Sequence, residues 1–193
     1  MDTKSAILDA ALDLFNEQGT AEVTTNHIAK AAGISPGNLY YHYRNKAEII
    51  RALFERLFSA WDVIFALDET QPPTLADLER LVRANFETLW AYRFAYRELV
   101  ALLRQDEVLK GRFLEVRERG FQGFSELFQI FLAAGVLPPS VGETNVENIA
   151  EMCWLISEFW LPYLEVSDRE VDSAWLERGV QLMLRAIGVS QPR

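Results

Sequence analysis

Residues 24–48 read TTNHIAKAAGISPGNLYYHYRNKAE, and this stretch decides the fold. Thr24 is a suitable N-cap for a short helix that turns Ile28 and Ala29 inward and stops near Gly33. Ser35 caps a second short helix starting at Pro36, where proline's fixed φ suits the helix and its missing N–H is no loss. Helical periodicity lapses across Tyr40–Arg44, and Asn45 offers a cap for a longer helix from Lys46. Two short helices joined through Gly33-Ile34-Ser35 make a helix-turn-helix, whose second helix enters the DNA major groove. Ser35, Pro36 and Gly37 keep the start of that helix slim, so that backbone amides can approach a phosphate. Asn38 can pair with a base edge, and Tyr40, Tyr41 and His42 offer donors to phosphate and contact to thymine methyls. Thr24, Thr25 and Lys46 can reach the phosphate backbone from the starts of the flanking helices. Taken alone, the Tyr40-Tyr41-Tyr43 cluster would serve core packing equally well. Four successive rings cannot all face inward, however, so Leu39 and Tyr43 are expected to pack and Tyr40, Tyr41 and His42 to be exposed.

Charge isolates the same stretch. The 193-residue chain carries a formal −9, which taken as an average argues against a phosphate partner. From Val23 to Ala47 there is no Asp or Glu, while Lys30, Arg44 and Lys46 contribute +3. The remainder, with 16 basic and 28 acidic residues, carries −12. Both histidines, His27 and His42, also fall in this window. His27 by itself reads more readily as a solvated helix residue than as a contact.

Working outward, the pattern is helical throughout. Ile7, Ala11, Leu14 and Phe15 share a face that Gly19 can terminate, and Ile49 to Trp61 continue the helix from Lys46. Gln71-Pro72-Pro73-Thr74 is the clearest break. Further helices are expected over Thr74–Trp90, Arg93–Arg104, Glu107–Ala134, Asn145–Leu164 and Asp168–Ile187, about nine in all. Gly111, Gly120 and Gly123 mark kinks or close crossings in the long one, and Pro162 should end or kink its helix. Strand signals and repeats are missing. The fold class is all-α, with an N-terminal helix-turn-helix domain at 1–46 and a ligand-binding and dimerisation domain at 47–193.

Composition bounds the setting. Half the residues are hydrophobic, too many for a disordered acidic chain and enough for a sizeable core. A single cysteine, Cys153, precludes an internal disulfide framework and suits a reducing compartment. Asp2 and Asp9 stand where a signal peptide would be basic and apolar, and the apolar run Ile130–Leu137 falls well short of the roughly 20 residues that span a bilayer. A soluble cytoplasmic protein without a membrane partner is expected.

The residues from Ile7 to Phe15, and from Thr24 through Gly33, Ser35, Tyr40 and Tyr43 to Glu48, resemble the TetR-type transcriptional repressors. The resemblance covers about the first 50 residues and is specific there; beyond them only length and helix count agree. It implies a homodimer whose two N-terminal domains read a palindromic operator in double-stranded DNA, and an inducer pocket in the C-terminal body. Members of the family often carry a basic residue after the serine that starts the recognition helix. Here Pro36 stands in its place, which removes one phosphate or guanine contact.

Residues 51–193 hold 19 of the 23 aromatic side chains and all five tryptophans. Most must serve the core and a dimer interface, but rigid rings pack imperfectly and leave cavities where small apolar ligands bind. Phe86, Trp90, Phe121, Phe124, Phe128 and Trp154 are the candidate lining, for a hydrophobic or aromatic effector rather than a strongly charged one. Arg97 and Arg104 could anchor a carboxylate, although surface ion pairing is their commoner use. The last two helices each show a broad apolar face, with Ile149, Met152, Cys153, Ile156, Phe159 and Trp160 on one and Val171, Trp175, Val180, Met183, Leu184 and Ile187 on the other. A four-helix interface, two from each subunit, would bury both. Glu158 lies within the first face and needs a partner, available across such a dimer.

An enzyme is disfavoured. The histidines are confined to the helix-turn-helix, one cysteine cannot build a metal cluster, and there is no phosphate-binding loop, dinucleotide fingerprint or nucleophile elbow. No catalytic residue, metal or cofactor is assigned. The remaining alternative is a protein-interaction module with an acidic helical body and a non-functional helix-turn-helix.

Overall fold

The computed structural model describes residues 2–66, 71–139, 141, 146–167 and 174–189. Among them are ten helices and no strand. In chain order they are α1 (Thr3–Glu22), α2 (Thr25–Ala31), α3 (Pro36–His42), α4 (Lys46–Ile64) and α5 (Leu75–Ala91), followed by α6 (Arg93–Arg97), α7 (Leu99–Gln105), α8 (Glu107–Ala133), α9 (Val146–Val166) and α10 (Ala174–Ala186). The expected helix starts at Asn145 and Asp168, and Val171, lie outside the described residues. Among the described residues no helix is long and apolar enough to cross a membrane.

The helices pack as two compact units: Met1–Ala60 with Tyr92–Gly111, and Trp61–Ala91 with Arg112–Arg193. The first unit therefore takes α6 and α7 as well as the N-terminal helices, where the sequence suggests a boundary after residue 46. The single helix expected over 93–104 is broken at Glu98, whose backbone leaves helical geometry at φ −108° and ψ 9°. That break makes ten helices of the nine expected. It turns the Glu98 carboxylate to accept hydrogen bonds from the Thr20 amide at 2.8 Å and the Thr20 hydroxyl. Phe94 on α6 is buried between Phe15 of α1 and Phe54 of α4, with ring centroids 5.4 and 6.2 Å away. Its amide donates to the buried Asn16 Oδ1 at 3.1 Å, so a side chain of α1 caps a five-residue helix far along the chain.

Gly19 leaves helical geometry within α1 at φ +79°, a conformation that favours glycine, and Thr20–Glu22 follow this break. Across the unit, Ile7, Ala11 and Phe15 of α1 and Ile49, Leu53, Phe54 and Leu57 of α4 are core, together with Ile28 and Leu39. Arg51 bonds Asp106 at 2.8 Å, and the other oxygen of Asp106 caps α8 through the amides of Val108 and Leu109.

In the second unit, Leu78, Leu81, Val82, Phe86 and Leu89 give α5 a continuous buried face, against which α9 and α10 pack. Gly120 of α8 is a close crossing rather than a kink: a Cβ there would lie 2.5 Å from the Trp154 indole of α9. Pro162 does not end α9, which runs on to Val166. α8 stops where Val136 donates back to the Phe131 carbonyl around Gly135, whose φ is +70°.

Candidate nucleic-acid interface

The helix-turn-helix is fixed by bonds that its own sequence supplies. Thr24 caps α2 by accepting from the His27 amide at 3.2 Å, while His27 Nδ1 accepts from the Thr24 amide at 3.4 Å, closing a reciprocal capping box. The chain then turns through Gly33 at φ +68°, with Ile34 donating to the Ala29 carbonyl, and Ser35 caps α3 through the Asn38 amide at 3.2 Å. Asn45 accepts from the Glu48 amide and Glu48 from the Arg44 amide, which starts α4 one turn after α3 ends. Leu39 is fully buried and Tyr43 nearly so, pinning one side of α3 to the core. Burial also pushes the Tyr43 phenol up, outweighing the opposing effect of the Arg56 guanidinium.

The opposite side of α3 is bare. Ser35, Pro36, Gly37 and Asn38 are exposed and Tyr41 is 84% exposed, while His42, expected to be exposed, is half-buried and lies edge-on to Tyr41 at 5.1 Å. Tyr40 is half exposed and its hydroxyl meets Thr25 Oγ1 at 2.9 Å, tying the recognition helix to the start of α2. Thr24 is exposed and Thr25 half-buried at the edge of this surface. A row of exposed small and aromatic polar groups on a rigid helix can enter a groove, where donors meet phosphate oxygens and base edges.

Lys46 behaves differently from the other candidates. Its ammonium donates to the carbonyl oxygens of Thr20 and of Val23, the latter at 2.9 Å, and its side chain is half-buried. Lys46 still contributes positive charge, but two of its three donors tether α4 to the end of α1. Two cations that sequence reasoning did not single out as contacts, Lys30 and Arg44, are exposed, and among the described residues no carboxylate pairs with either side chain. The acid-free window was the signal that could have found them.

In the second unit the candidate pocket residues are drawn into ring pairs. Phe121 stacks on Trp154 at 4.4 Å and Phe124 on Phe128 at 4.7 Å, Trp90 lies 5.1 Å from Trp175, and Phe86 meets Trp160 edge-on at 6.3 Å. Phe86 is fully buried against Gly179, where a Cβ would come within 2.5 Å of the ring. The candidate interface residues separate into two groups. Ile149, Trp160, Val180 and Met183 are buried within the chain's own core, because that face of α9 and α10 packs against α5. Met152 and Phe159 are exposed, and Ile156 and Trp175 are half-buried. The exposed apolar face of α9 is Met152, Leu155, Phe159, Tyr163 and Val166. Glu158 finds its partner inside the subunit, in Arg117 of α8 at 3.3 Å. Arg97 donates to the Asn16 carbonyl.

Comparison with known proteins agrees with this geometry. Residues 7–53 match the family described as bacterial regulatory proteins, tetR family, and residues 59–188 match that described as bacterial transcriptional repressor. The HTH-type transcriptional repressor KstR2 of Rhodococcus jostii is 35% identical over 143 residues, covering 69% of this chain and 65% of that protein. The HTH-type transcriptional regulator TtgR of Pseudomonas putida is 34% identical over 70 residues, 36% of this chain and 33% of that one. The chain thus matches less than two thirds of the length of either relative. The crystal structure of a TetR-family regulator from Marinobacter aquaeolei superposes with a TM-score of 0.83 at 32% identity, covering 96% of this chain and 89% of that one. The relatives are transcriptional regulators and not enzymes. With both matched regions and the exposed recognition helix in agreement, the chain belongs to the TetR family of DNA-binding transcriptional regulators.

Proposed function

We propose that the chain acts in the cytoplasm as a homodimeric repressor, released from a palindromic operator when a small apolar or aromatic effector occupies the second unit. The observation that carries this reading is the bare side of α3. Ser35 to Asn38 and Tyr41 stand out, with the half-buried His42 beside them, on a helix held by caps on both sides, in a window free of acidic residues. Thr24, Thr25, Tyr40, Lys30 and Arg44 flank it and supply the phosphate-directed contacts.

Dimerisation is supported by the exposed stripe of α9. Met152, Leu155, Phe159, Tyr163 and Val166 recur at threes and fours along one side, and Leu182 is exposed on α10. A second copy of the same stripe would bury these side chains by two-fold symmetry. Two recognition helices would then sit one helical turn of DNA apart, about 34–36 Å, or a multiple of that distance. The ring-lined interior of the second unit supports an apolar effector, which must favour one spacing over the other for release to follow.

The test is a salt titration of binding to duplexes selected from a randomised palindrome library, alongside sedimentation of the free protein. A dimer whose specific binding weakens steeply with salt is expected. Absence of sequence-specific binding would leave the acidic body as a protein-interaction module. A ligand that binds tightly yet leaves operator affinity unchanged would refute the coupling.

A further inference from the structure

In the second unit a hydrogen-bonded polar pair joins α5 to α9, a buried indole N–H follows one helical turn along α9, and the DNA-reading role makes no use of them. Asn85 of α5 is more than nine-tenths buried, and its amide Nδ2 donates to Ser157 Oγ of α9 at 3.1 Å. Trp160, one helical turn beyond Ser157, is also more than nine-tenths buried, and among the described residues its Nε1 has no hydrogen-bond partner. Phe86, next to Asn85, has its ring against Trp160. A buried N–H without an acceptor opposes folding, and native interiors rarely keep one unless something else completes the bond.

The chemistry of the trio limits what that can be. Trp160 Nε1 can only donate, Asn85 Nδ2 has a second hydrogen beyond the one given to Ser157, and the Ser157 hydroxyl can donate as well. No charged group belongs to the trio. Arg83 and Glu87, which flank Asn85 on α5, are exposed, and Glu158, which follows Ser157, is paired with Arg117. A carboxylate placed here would lose its hydration without gaining a counter-charge, whereas a neutral carbonyl gives up less and can take the unpartnered indole N–H.

We propose that Asn85, Ser157 and Trp160 form the polar subsite of the effector site, and that it takes an uncharged hydrogen-bond acceptor, a ketone, ester or amide carbonyl, on an otherwise apolar molecule. This rests on the effector reading above. It narrows the ligand from apolar or aromatic to apolar with a neutral carbonyl.

The test uses three probes of nearly equal shape, 2-acetonaphthone, 2-ethylnaphthalene and 2-naphthoate, titrated calorimetrically into the full chain. The ketone should bind about tenfold tighter than the hydrocarbon, the worth of one buried hydrogen bond, and tighter than the carboxylate. Trp160→Phe, which keeps a ring but removes the N–H, should abolish the preference for ketone over hydrocarbon. Asn85→Leu should reduce the same preference, so the result does not depend on one variant folding. Equal affinity for ketone and hydrocarbon, tightest binding of the carboxylate, or a preference that survives both variants would overturn the subsite while leaving an apolar effector site standing. If none of the probes binds a protein that still binds its operator, the effector reading fails and the subsite with it.

Discussion

Gly37→Ala should make the protein more stable and a weaker DNA binder at once. Gly37 is the second residue of α3 and is exposed, and a Cβ added there would meet only Ser35 Oγ, at 3.9 Å, which is ordinary contact. Its φ is not in the left-handed region, so alanine fits the backbone without strain. Nothing within the chain therefore requires glycine, and replacing it should stabilise by about 0.5–1 kcal/mol through lost freedom of the unfolded chain. For a chain of this size that raises Tm by roughly 1–4 °C. On DNA the sign reverses. The new methyl stands on the bare side of α3, between the Ser35 cap and the donors of Asn38 and Tyr41, and must displace whatever approaches the helix there. Loss of one phosphate- or base-directed contact costs about 1–3 kcal/mol, or roughly 5- to 150-fold in affinity. Thermal unfolding and fluorescence anisotropy on a selected operator, at one fixed salt concentration, measure the two effects separately. A variant that is stabilised yet binds operator as tightly as before would show that no DNA reaches Gly37, and would refute the assignment of this face.

The other expectations concern single side chains. Tyr41→Ala should weaken operator binding while leaving stability within about 0.5 kcal/mol, since the ring is almost wholly exposed; a fall of many degrees in Tm would place it in the core. Leu155→Glu with Phe159→Glu puts two charges into the exposed stripe of α9 and should yield monomers by sedimentation; an unchanged dimer mass would move the interface elsewhere. Burial raises the Glu158 carboxyl above its ordinary range, outweighing the Arg117 guanidinium and a Trp154 hydrogen bond that both lower it. Its stabilising contribution is then complete below the ordinary carboxylate pKa and is lost as pH rises through the raised value. Urea midpoints should accordingly shift in favour of Glu158→Gln, relative to wild type, between pH 4 and 7, and a shift the other way contradicts the assignment. The Cys153 thiol, pushed up to about 12 by burial, should resist iodoacetamide at pH 8 until the protein is unfolded; labelling of the native chain at the rate of a free thiol would show that it is not buried.

Sequence reading succeeded where the signal was local. Thr24, Ser35 and Asn45 cap helices through groups three residues away, so their roles are visible in the order of the residues. The inward Leu39 and Tyr43 and the outward Tyr40 and Tyr41 follow because four successive rings cannot all face the core, although His42, expected outward with them, is half-buried. The tether of Lys46 was illegible because its partners are carbonyls of Thr20 and Val23, 26 and 23 residues upstream, on the segment that follows the break at Gly19. α9 shows a different limit. It is apolar on nearly every side, and periodicity identifies an apolar face without saying which neighbour covers it. Hence Ile149 and Trp160, which serve the core, looked equivalent to Met152 and Phe159, which stay exposed. Asn85 gave no sign of its polar partner, because Ser157 comes from a different helix.

Chain order suggests a DNA-reading part that ends where α4 begins, and α1 packs in addition against α6 and the start of α7. Phe15 is covered by Phe94, Asn16 caps α6, Arg97 donates to the Asn16 carbonyl, and Thr20 gives two hydrogen bonds to Glu98. A buried phenylalanine is worth about 1.5–3 kcal/mol and each hydrogen bond about 1 kcal/mol, a large share of the stability available to a bundle of under 50 residues. The helix-turn-helix thus owes part of its stability to a short segment that arrives in the chain between α5 and α8. These bonds converge on Asn16 to Thr20, the end of α1 that Lys46 also holds through the Thr20 carbonyl. A displacement of α6 or α7 therefore acts on α1 directly, through Glu98 and Asn16, and reaches α4 through Lys46. On the proposed effector control, movement of the recognition helix does not need to begin at α4.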